Sequence, residues 1–483
     1  MEPLNASSGR ISTGISGLDH VLCGGLIPRR AYLVNGPPGS GKTTLGLHFL
    51  TAGRPDEKCL FVTLTEPVES IVGNARALGF DLARVEFLDL TPTAQFFAEA
   101  QSYDIFLPAD VERQPMAQRI VETVTALSPS RVFIDSMTSF RYLATDPYEF
   151  RRQALSFLRF LVESGATVVF TSEASPEAPD EDLQFISDGI ISLSYDRNAG
   201  RGLEISKFRG SDFEPGRHAV VLHKSGMDVY PNVHPVESHA ERSLDMLSTG
   251  IKELDELFGG GIERGTITLL TGPTGTGKTS LAVQLASASA ARGERTVFFS
   301  FEEEVDLIAF RARSLGIRVD EMIAAQRLSL VKVEPLRYTP QEFYALVERE
   351  VAKEGARMVV IDSTAGYKLS LRGIDLASHL HALAKFLQAM NVTTVLITET
   401  HDVTGDFRPT DEHVSFIGDN IVFLRYLEID GELKKAIGVL KKRLSNFEKT
   451  LREFELTPEG IRIGEPLTKL RGILRGIPDW KDS

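Results

Sequence analysis

Two eight-residue segments of this chain have the residue types and the spacing of a phosphate-binding loop. The first, GPPGSGKT, covers residues 36–43, and the second, GPTGTGKT, covers residues 272–279. Both match the pattern G-x-x-x-x-G-K-[ST], in which glycines let backbone N–H groups turn towards phosphate oxygens. The lysine of such a loop contacts the β- and γ-phosphates, and the final hydroxyl binds Mg²⁺. The sequence therefore predicts two sites that each bind ATP with Mg²⁺.

The surroundings of both loops are those of a nucleotide site. Each loop follows an apolar, β-prone run, at residues 32–34 and 267–270, and precedes a helix-like segment, at residues 45–50 and 281–285. The N-terminus of that helix adds its positive dipole end to the phosphate site. The predicted nucleotide contacts are Gly36, Gly39, Ser40, Gly41, Lys42, Thr43 and Thr44, and Gly272, Gly275, Thr276, Gly277, Lys278, Thr279 and Ser280.

Each half of the chain also has an aspartate at the end of an apolar, strand-like run. These are Asp135 and Asp362. Downstream of a P-loop, an aspartate in this place can complete the Mg²⁺ shell. The predicted metal-binding residues are therefore Thr43 with Asp135 and Thr279 with Asp362. The alternative is that each aspartate only caps the helix that follows it.

Glutamates follow the second predicted strand of each half. Glu66 comes after residues 59–63, and Glu302 and Glu303 come after residues 296–300. Strand ends in α/β sheets face the ligand crevice, and a hydrolase needs a base to orient the attacking water. These three glutamates are the candidate catalytic residues, although each could instead be a solvated residue favoured by a helix N-terminus. The first half has one carboxylate where the second has two, so hydrolysis has less support there.

A basic pair occurs late in each half. The pairs are Lys207 with Arg209 and Lys441 with Arg443. In a strand, residues two apart lie on the same face, so each pair presents two cations together. Two interpretations remain open: a solvated basic edge, or cations that complete the γ-phosphate site of a neighbouring subunit, as an arginine finger does.

Further segments recur in the same order in both halves. They are the motif S-T-G-I-x-x-L-D at residues 12–19 and 248–255, and apolar strands at residues 59–63 and 296–300, 131–136 and 358–363, and 167–171 and 393–398. Strands that alternate with helices predict right-handed βαβ units. We therefore expect an α/β protein with two tandem P-loop NTPase domains, 1–235 and 240–483, each a mostly parallel twisted sheet flanked by helices. Residues 228–238 are the expected linker, and residues 467–478 belong to a short C-terminal tail.

Composition limits the function classes. The formal net charge of −13 argues against a protein that coats nucleic acid, so nucleic acid is not an expected partner. Two cysteines, Cys23 and Cys59, are too few for a disulfide framework, which indicates a reducing compartment. No apolar run approaches the ~20 residues of a membrane span, and the first residues do not resemble a secretion signal. We therefore expect a cytoplasmic protein that has no membrane partner.

Taken together, the tandem motifs resemble those of the KaiC family of circadian clock ATPases. The resemblance covers nearly the whole chain. It includes S-F-E-E at residues 300–303, I-D-S at 361–363, the two K-x-R pairs, F-L-R-Y-L-E-I at 423–429 and L-R-E-F at 451–454. It implies a RecA-like core in each half, ATP between subunits and a double-tiered homohexameric ring. It also implies that the K-x-R pairs act in trans, that the paired glutamates are catalytic, and that a KaiB-like protein is a partner.

The sequence departs from the family pattern at two functional positions. Thr65 occupies the place of the first glutamate in the N-terminal half. Family members autophosphorylate on adjacent serine and threonine residues, which here correspond to Ser415 and Phe416. Phenylalanine has no hydroxyl, so the resemblance implies one candidate phosphosite per chain, Ser415. The tail is also short, which leaves little for a tail-binding partner.

Three functions remain open. The first is an ATP-hydrolysing ring with serine autokinase activity, used in signalling or clock-like regulation. The second is a nucleotide-gated scaffold with negligible turnover. The third is a RecA-like, DNA-dependent ATPase, which would need a basic DNA-binding channel that the net charge of −13 does not favour.

Overall fold

The computed structural model describes residues 9–91, 108–141, 146–173, 180–197, 199–233, 245–371, 376–400, 414–429, 431–468, 470–471 and 479–480. The chain forms two compact units, Met1–Asn232 and Val233–Ser483. Within the described residues, no helix is long and apolar enough to cross a membrane.

The first unit is built on a nine-stranded sheet with the order β3-β2-β4-β5-β1-β6-β7-β8-β9. The strands are β1 (Ala31–Asn35), β2 (Cys59–Thr63), β3 (Val85–Asp89), β4 (Arg131–Asp135), β5 (Thr167–Ser172), β6 (Gly189–Asp196), β7 (Gly200–Phe208), β8 (His218–His223) and β9 (Gly226–Tyr230). The helices are α1 (Ser16–Val21), α2 (Lys42–Thr51), α3 (Val68–Ala77), α4 (Pro108–Leu127), α5 (Thr138–Arg141), α6 (Pro147–Glu163) and α7 (Glu181–Ile186). The pairs from β3 to β6 are parallel, and β7–β9 extend the sheet antiparallel.

The central strands are apolar throughout because helices cover both faces of the sheet. All five residues of β2 are buried. Phe61 contributes to a core shared with α1, α2 and α3, whereas Leu60 and Val62 contribute to a second core shared with α4 and α6. Strands buried on both faces in this way form continuous apolar runs rather than alternating ones.

Close packing fixes the helix that begins at the first P-loop. The ring of Phe133 in β4 lies directly against Gly46 in α2, where an added Cβ would come within 2.2 Å of the ring. Gly46 therefore allows α2 to approach the sheet closely, at the cost of about 1 kcal/mol of helix propensity relative to alanine.

The second unit repeats this plan with the strand order β14-β13-β15-β16-β12-β17-β18-β19-β20. The strands are β10 (Met246–Leu247), β11 (Ile262–Glu263), β12 (Ile267–Gly272), β13 (Thr296–Ser300), β14 (Leu328–Lys332), β15 (Met358–Asp362), β16 (Thr393–Glu399), β17 (Asn420–Ile429), β18 (Glu432–Lys442), β19 (Arg452–Thr457), β20 (Gly460–Pro466), β21 (Leu470–Arg471) and β22 (Asp479–Trp480). The helices are α8 (Lys252–Leu257), α9 (Lys278–Ala291), α10 (Val305–Ser314), α11 (Val319–Ala324), α12 (Pro340–Glu348), a π-helical turn (Arg349–Lys353), α13 (Thr364–Ser370) and α14 (Leu376–Ala389). The predicted fold class is confirmed: two tandem RecA-like α/β domains, each a mostly parallel sheet flanked by helices.

The expected linker is wrong at its start. Asp228–Tyr230 belong to β9, which pairs antiparallel with β8. Met227 and Val229 are buried while Asp228 between them is exposed, so this stretch alternates as an edge strand does. The alternation begins at Met227, one residue before the expected linker, so residues 228–238 alone do not show it. Residues 234–238 of the expected linker lie outside the described residues.

A buried ion pair anchors β18 in the second unit. Lys442 Nζ lies 3.0 Å from Glu263 Oε1, and the two side chains are 1% and 2% exposed. Lys442 also donates to the carbonyl oxygens of Phe258 and Gly261, and Ser445 donates to Glu263. Burial raises the pKa of Glu263, but the hydrogen bonds and the Lys442 ammonium outweigh it and hold that pKa below its ordinary value.

We predict that Glu263→Leu destabilises the second unit by about 3–5 kcal/mol, because it leaves the Lys442 ammonium buried without a counterion. The double variant Glu263→Leu/Lys442→Met should recover most of this loss, since it replaces the pair with apolar groups of similar size. Urea unfolding followed by circular dichroism measures both effects in the transition of the second unit. Equal destabilisation by the single and double variants would contradict the prediction.

Candidate nucleotide sites

The two P-loops have the same backbone conformation. Gly36 and Gly272 both have φ +149°, and Gly41 and Gly277 both have φ +107°. Glycine adopts these positive angles without the strain that an L side chain would suffer. Space is also limited, because a Cβ on Gly41 would lie 2.5 Å from the Met227 side chain. All the predicted nucleotide contacts lie in these loops or in the first turn of α2 and α9.

Each P-loop lysine is buried and held by the carbonyl oxygens of its own loop. Lys42 Nζ donates to Gly36 (2.8 Å) and Pro37 (3.2 Å), and Lys278 makes the two equivalent bonds of 2.8 and 2.9 Å. Burial lowers the pKa of Lys278. Ser40 Oγ is also buried, with no hydrogen-bond partner among the described residues. A phosphate oxygen would give this hydroxyl an acceptor, so the first loop fits the predicted ligand.

The predicted metal-binding residues meet in pairs. Thr43 Oγ1 donates to Asp135 Oδ2 at 2.7 Å, and Thr279 Oγ1 donates to Asp362 Oδ2 at 2.8 Å. Hydroxyl and carboxylate oxygens are the donors that Mg²⁺ prefers, so both pairs fit this ion. In the second unit the helix-cap alternative does not apply to the aspartate, because it is Ser363 whose side chain caps α13.

Negative charge gathers around Asp362. Burial, together with the nearby carboxylates of Glu302 and Glu303, raises the pKa of Asp362 to about 7, although the hydrogen bond from Thr279 and the Lys278 ammonium act to lower it. A bound cation would favour the ionised form, because it supplies the positive charge that this cluster lacks.

The two glutamates of the second unit have different contacts. Glu302 Oε1 accepts a short hydrogen bond from Ser363 Oγ, directly beside Asp362. Glu303 Oε2 instead forms an ion pair with Arg311 at 2.7 Å. Glu302 is therefore the carboxylate that lies beside Asp362, the predicted metal-binding aspartate, whereas Glu303 is held by an ion pair to helix α10.

The first unit lacks the equivalent of Glu302. Thr65 is exposed at that position and has no carboxylate. Glu66 corresponds to Glu303, and its carboxylate accepts hydrogen bonds from Ser70 (2.5 Å) and Asn74 (3.3 Å) of α3. The one predicted catalytic residue of this unit therefore faces a helix rather than the P-loop lysine.

A further carboxylate, missed by the sequence analysis, lies at each P-loop. Glu173 follows the last residue of β5 and is 3.4 Å from Lys42 Nζ. Glu399 ends β16, lies 3.6 Å from Lys278 Nζ and accepts a hydrogen bond from Thr274. The available signal was a glutamate at the end of the same predicted strand in both halves.

The basic pair of the first unit, at the end of β7, contacts the segment that precedes β6. Lys207 Nζ donates to the carbonyl oxygens of Gln184 (2.8 Å) and Phe185 (3.2 Å). The Arg209 guanidinium is 3.8 Å from Asp188 and remains 54% exposed. The two cations therefore contact one segment, and the arginine faces solvent in the isolated chain.

The second unit repeats this arrangement. Lys441 Nζ donates to the carbonyl oxygen of Gly418 at 2.7 Å. Arg443 donates to the carbonyl oxygen of Phe416 at 2.9 Å and lies 3.4 Å from Asp419. Its side chain is 48% exposed, so it too is available for an external contact.

Both basic pairs lie at the opposite edge of the sheet from their own P-loop. The P-loops leave the carboxyl ends of β1 and β12. The first residues of β6 and β17, which run parallel to them, pair with the last residues of β7 and β18. At about 3.3 Å per residue, five or six residues of strand separate the two edges by roughly 17–20 Å. Neither pair can therefore reach the phosphate site of its own unit.

The candidate phosphosite Ser415 lies at the same edge as Lys441 and Arg443. Asp419, shortly after it, donates its backbone N–H to Ile267, the first residue of β12. Ser415 is half-buried, and the neighbouring Phe416 is 51% exposed. Ser415 is thus also distant from the P-loop of its own unit.

Comparison with known proteins gives one family over nearly the whole chain. The family model described as ATPase: KaiC matches residues 11–234 and 247–468. The circadian clock protein KaiC3 of Synechocystis sp. is 29% identical over 97% of this chain and 94% of its own. The circadian clock oscillator protein KaiC of Synechococcus elongatus is 29% identical over 97% and 92%, and that of Thermosynechococcus vestitus is 28% identical over 99% and 93%.

We predict that Lys42→Met and Lys278→Met each remove one nucleotide site and leave the other. A hydrogen bond to a charged group contributes about 1.5–3 kcal/mol, so affinity at the altered site should fall at least about tenfold. Titration calorimetry with ATP should give two sites per chain for the parent and one tight site for each variant. Lys58→Met, which changes an exposed lysine outside the loop, is the control. Two tight sites in either P-loop variant would contradict the assignment.

Proposed function

The chain belongs to the KaiC ATPase family, and on this premise we propose that it is an ATP-hydrolysing protein that assembles into a double-tiered ring of six chains. One observation carries the proposal: each basic pair lies at the sheet edge opposite its own P-loop. A head-to-tail contact around a ring brings these two edges of adjacent chains together.

In this proposal each site combines residues of two chains. Lys278 binds the β- and γ-phosphates of ATP, while Thr279 and Asp362 hold Mg²⁺, which, when bound, supplies charge neutralisation at the phosphates. Lys441 and Arg443 of the next chain approach the γ-phosphate from the other side and stabilise the charge of the transition state. Glu302 orients the attacking water. This role is supported by the hydrogen bond that Ser363, the residue after Asp362, donates to the Glu302 carboxylate.

Serine autokinase activity is a second part of the proposal. Ser415 lies on the segment that Lys441 and Arg443 contact, so a ring that delivers these cations to a neighbouring γ-phosphate also delivers this hydroxyl. The γ-phosphoryl group passes from ATP to Ser415 Oγ and leaves ADP. The hydroxyl proton passes to Glu302 of the adjacent chain, the one that binds the ATP.

The biological role follows from the relatives alone. The names of these relatives refer to circadian clocks and oscillators. For this chain we propose signalling or clock-like regulation, with self-association and a KaiB-like protein as partner. The fold and the ATP chemistry are shared by many processes, so this role needs its own test.

We predict that two inactive variants restore each other in mixed rings. With the first site silenced by Lys42→Ala throughout, one variant adds Lys441→Ala/Arg443→Ala and the other adds Lys278→Ala. In a random equal mixture, about a quarter of the interfaces combine an intact P-loop with intact cations of the neighbour. ATP turnover, measured as phosphate release, should therefore return to about a quarter of the second-site rate.

Two controls make the complementation test decisive. Light scattering should show a six-fold assembly for each variant, and each alone should have no turnover above background. Absence of recovery in rings that do exchange subunits would contradict the trans role, and a monomer in the presence of ATP would contradict the ring.

We predict that incubation with ATP and Mg²⁺ adds one phosphate per chain, because Ser415 has a hydroxyl and Phe416 does not. Intact-chain mass spectrometry should show no phosphate on Ser415→Ala and up to two on Phe416→Thr, which restores a second acceptor. An unmodified parent chain that hydrolyses ATP would remove the kinase proposal and leave the ATPase.

A further inference from the structure

The first unit has a carboxylate, that of Glu173, at its P-loop. Glu173 Oε1 lies 3.4 Å from Lys42 Nζ. Its backbone N–H donates to Thr138 Oγ1, which fixes the chain where it leaves β5. β5 lies beside β1 and carries Thr171, which donates to Asp135. Glu173 therefore belongs to the same strand-end cluster as the predicted metal-binding residues.

Two other carboxylates of this unit, those of Asp135 and Glu66, are held by hydrogen bonds. Asp135 is bonded to the metal-binding Thr43, and Glu66 is bonded to Ser70 and Asn74 of α3. Thr65 stands where the second unit has Glu302, the glutamate beside its metal-binding aspartate. Of the carboxylates just compared, Glu173 is the one that contacts the phosphate-binding lysine.

The equivalent residue of the second unit is restrained differently. Glu399 accepts a hydrogen bond from Thr274 of the P-loop in addition to its contact with Lys278. In the first loop Pro38 occupies the position of Thr274 and offers no donor. The Glu173 side chain is also more exposed, at 54% against 32% for Glu399. Glu173 thus keeps more freedom to move once Lys42 engages a phosphate.

We propose that Glu173 orients and deprotonates the attacking water at the first site, in place of the glutamate that Thr65 replaces. This inference rests on the proposed hydrolysis of ATP. In the absence of nucleotide the carboxylate is the counterion of Lys42. When the triphosphate binds Lys42, the Glu173 carboxylate loses this ion pair. It is then free to move and lies within about one side-chain length of the γ-phosphate.

The hydrolytic step balances with these groups alone. The water oxygen forms a bond to the γ-phosphorus, and the bond from that phosphorus to the β–γ bridging oxygen breaks, which leaves ADP. One water proton passes to the Glu173 carboxylate and from there to the departing phosphate. The second unit performs the same step with Glu302.

The test measures each site alone. In a chain with Lys278→Ala, which silences the second site, Glu173→Gln should lower kcat for ATP at least about 100-fold, the usual contribution of a general base. Its Kd for ATP should change less than about threefold, because glutamine keeps the size of the side chain. Glu86→Gln in the same background, which changes an exposed glutamate of β3, is the matched control and should retain most of the turnover.

A rescue variant separates chemistry from folding. Thr65→Glu, added to Glu173→Gln, restores a carboxylate at the position of Glu302. The turnover of this variant should be at least about tenfold higher than that of Glu173→Gln without Thr65→Glu. In the mirror background with Lys42→Ala, Glu399→Gln should cost less than about tenfold, whereas Glu302→Gln should cost about 100-fold.

Each outcome decides the inference. Full turnover in Glu173→Gln, or an equal loss in Glu86→Gln, would overturn it. A Kd that rises in parallel with the loss, without rescue by Thr65→Glu, would make Glu173 only a counterion of Lys42 and would also overturn it. If the Lys278→Ala chain binds ATP but shows no turnover before any further change, the proposed hydrolysis itself fails at the first site.

Discussion

The direction of the parallel strands is the constraint on which both sites depend. In each unit the P-loop strand lies between parallel neighbours, so the ends of several strands collect at one edge of the sheet. Thr43, Asp135 and Glu173 meet there because three segments of the chain reach this edge together. The antiparallel return through β7 or β18 places the basic pair at the other edge. The two sets of residues of one unit therefore cannot meet at a single phosphate site.

The two units use one scaffold for two different charge arrangements. The second unit has three carboxylates near Lys278, those of Asp362, Glu302 and Glu399. Burial of Asp362, together with the nearby charges of Glu302 and Glu303, raises the pKa of Asp362 to about 7. The first unit has Thr65 in place of one of these carboxylates, and its Glu66 is bonded to α3. The first site therefore has fewer carboxylates that could orient a water. For that reason the contact between Glu173 and Lys42 bears on hydrolysis at this site.

The sequence predicted what depends on contiguous residues and missed what depends on register or on side-chain direction. The P-loop backbone follows from glycine positions within eight residues, and the mostly parallel sheet follows from apolar strands that alternate with helices. The position of Lys207 depends on how β7 pairs with β6, which the two residues K-x-R do not encode. The direction of Glu66 depends on Ser70 and Asn74, polar partners on a helix that begins after it. The linker expected from residue 228 overlaps β9, because the alternation of buried and exposed residues begins at Met227, one residue earlier.

The pair Lys442–Glu263 has an evolutionary consequence for a chain made of two similar halves. The first unit has Phe208 and Ile27 at these positions, and Phe208 stacks on Tyr32 at 5.6 Å between ring centroids. Recombination between the halves that moved one partner alone would leave a single charge in an apolar environment. Exchange of both positions together would avoid this unpaired charge, so we expect strong epistasis between the two residues of the pair.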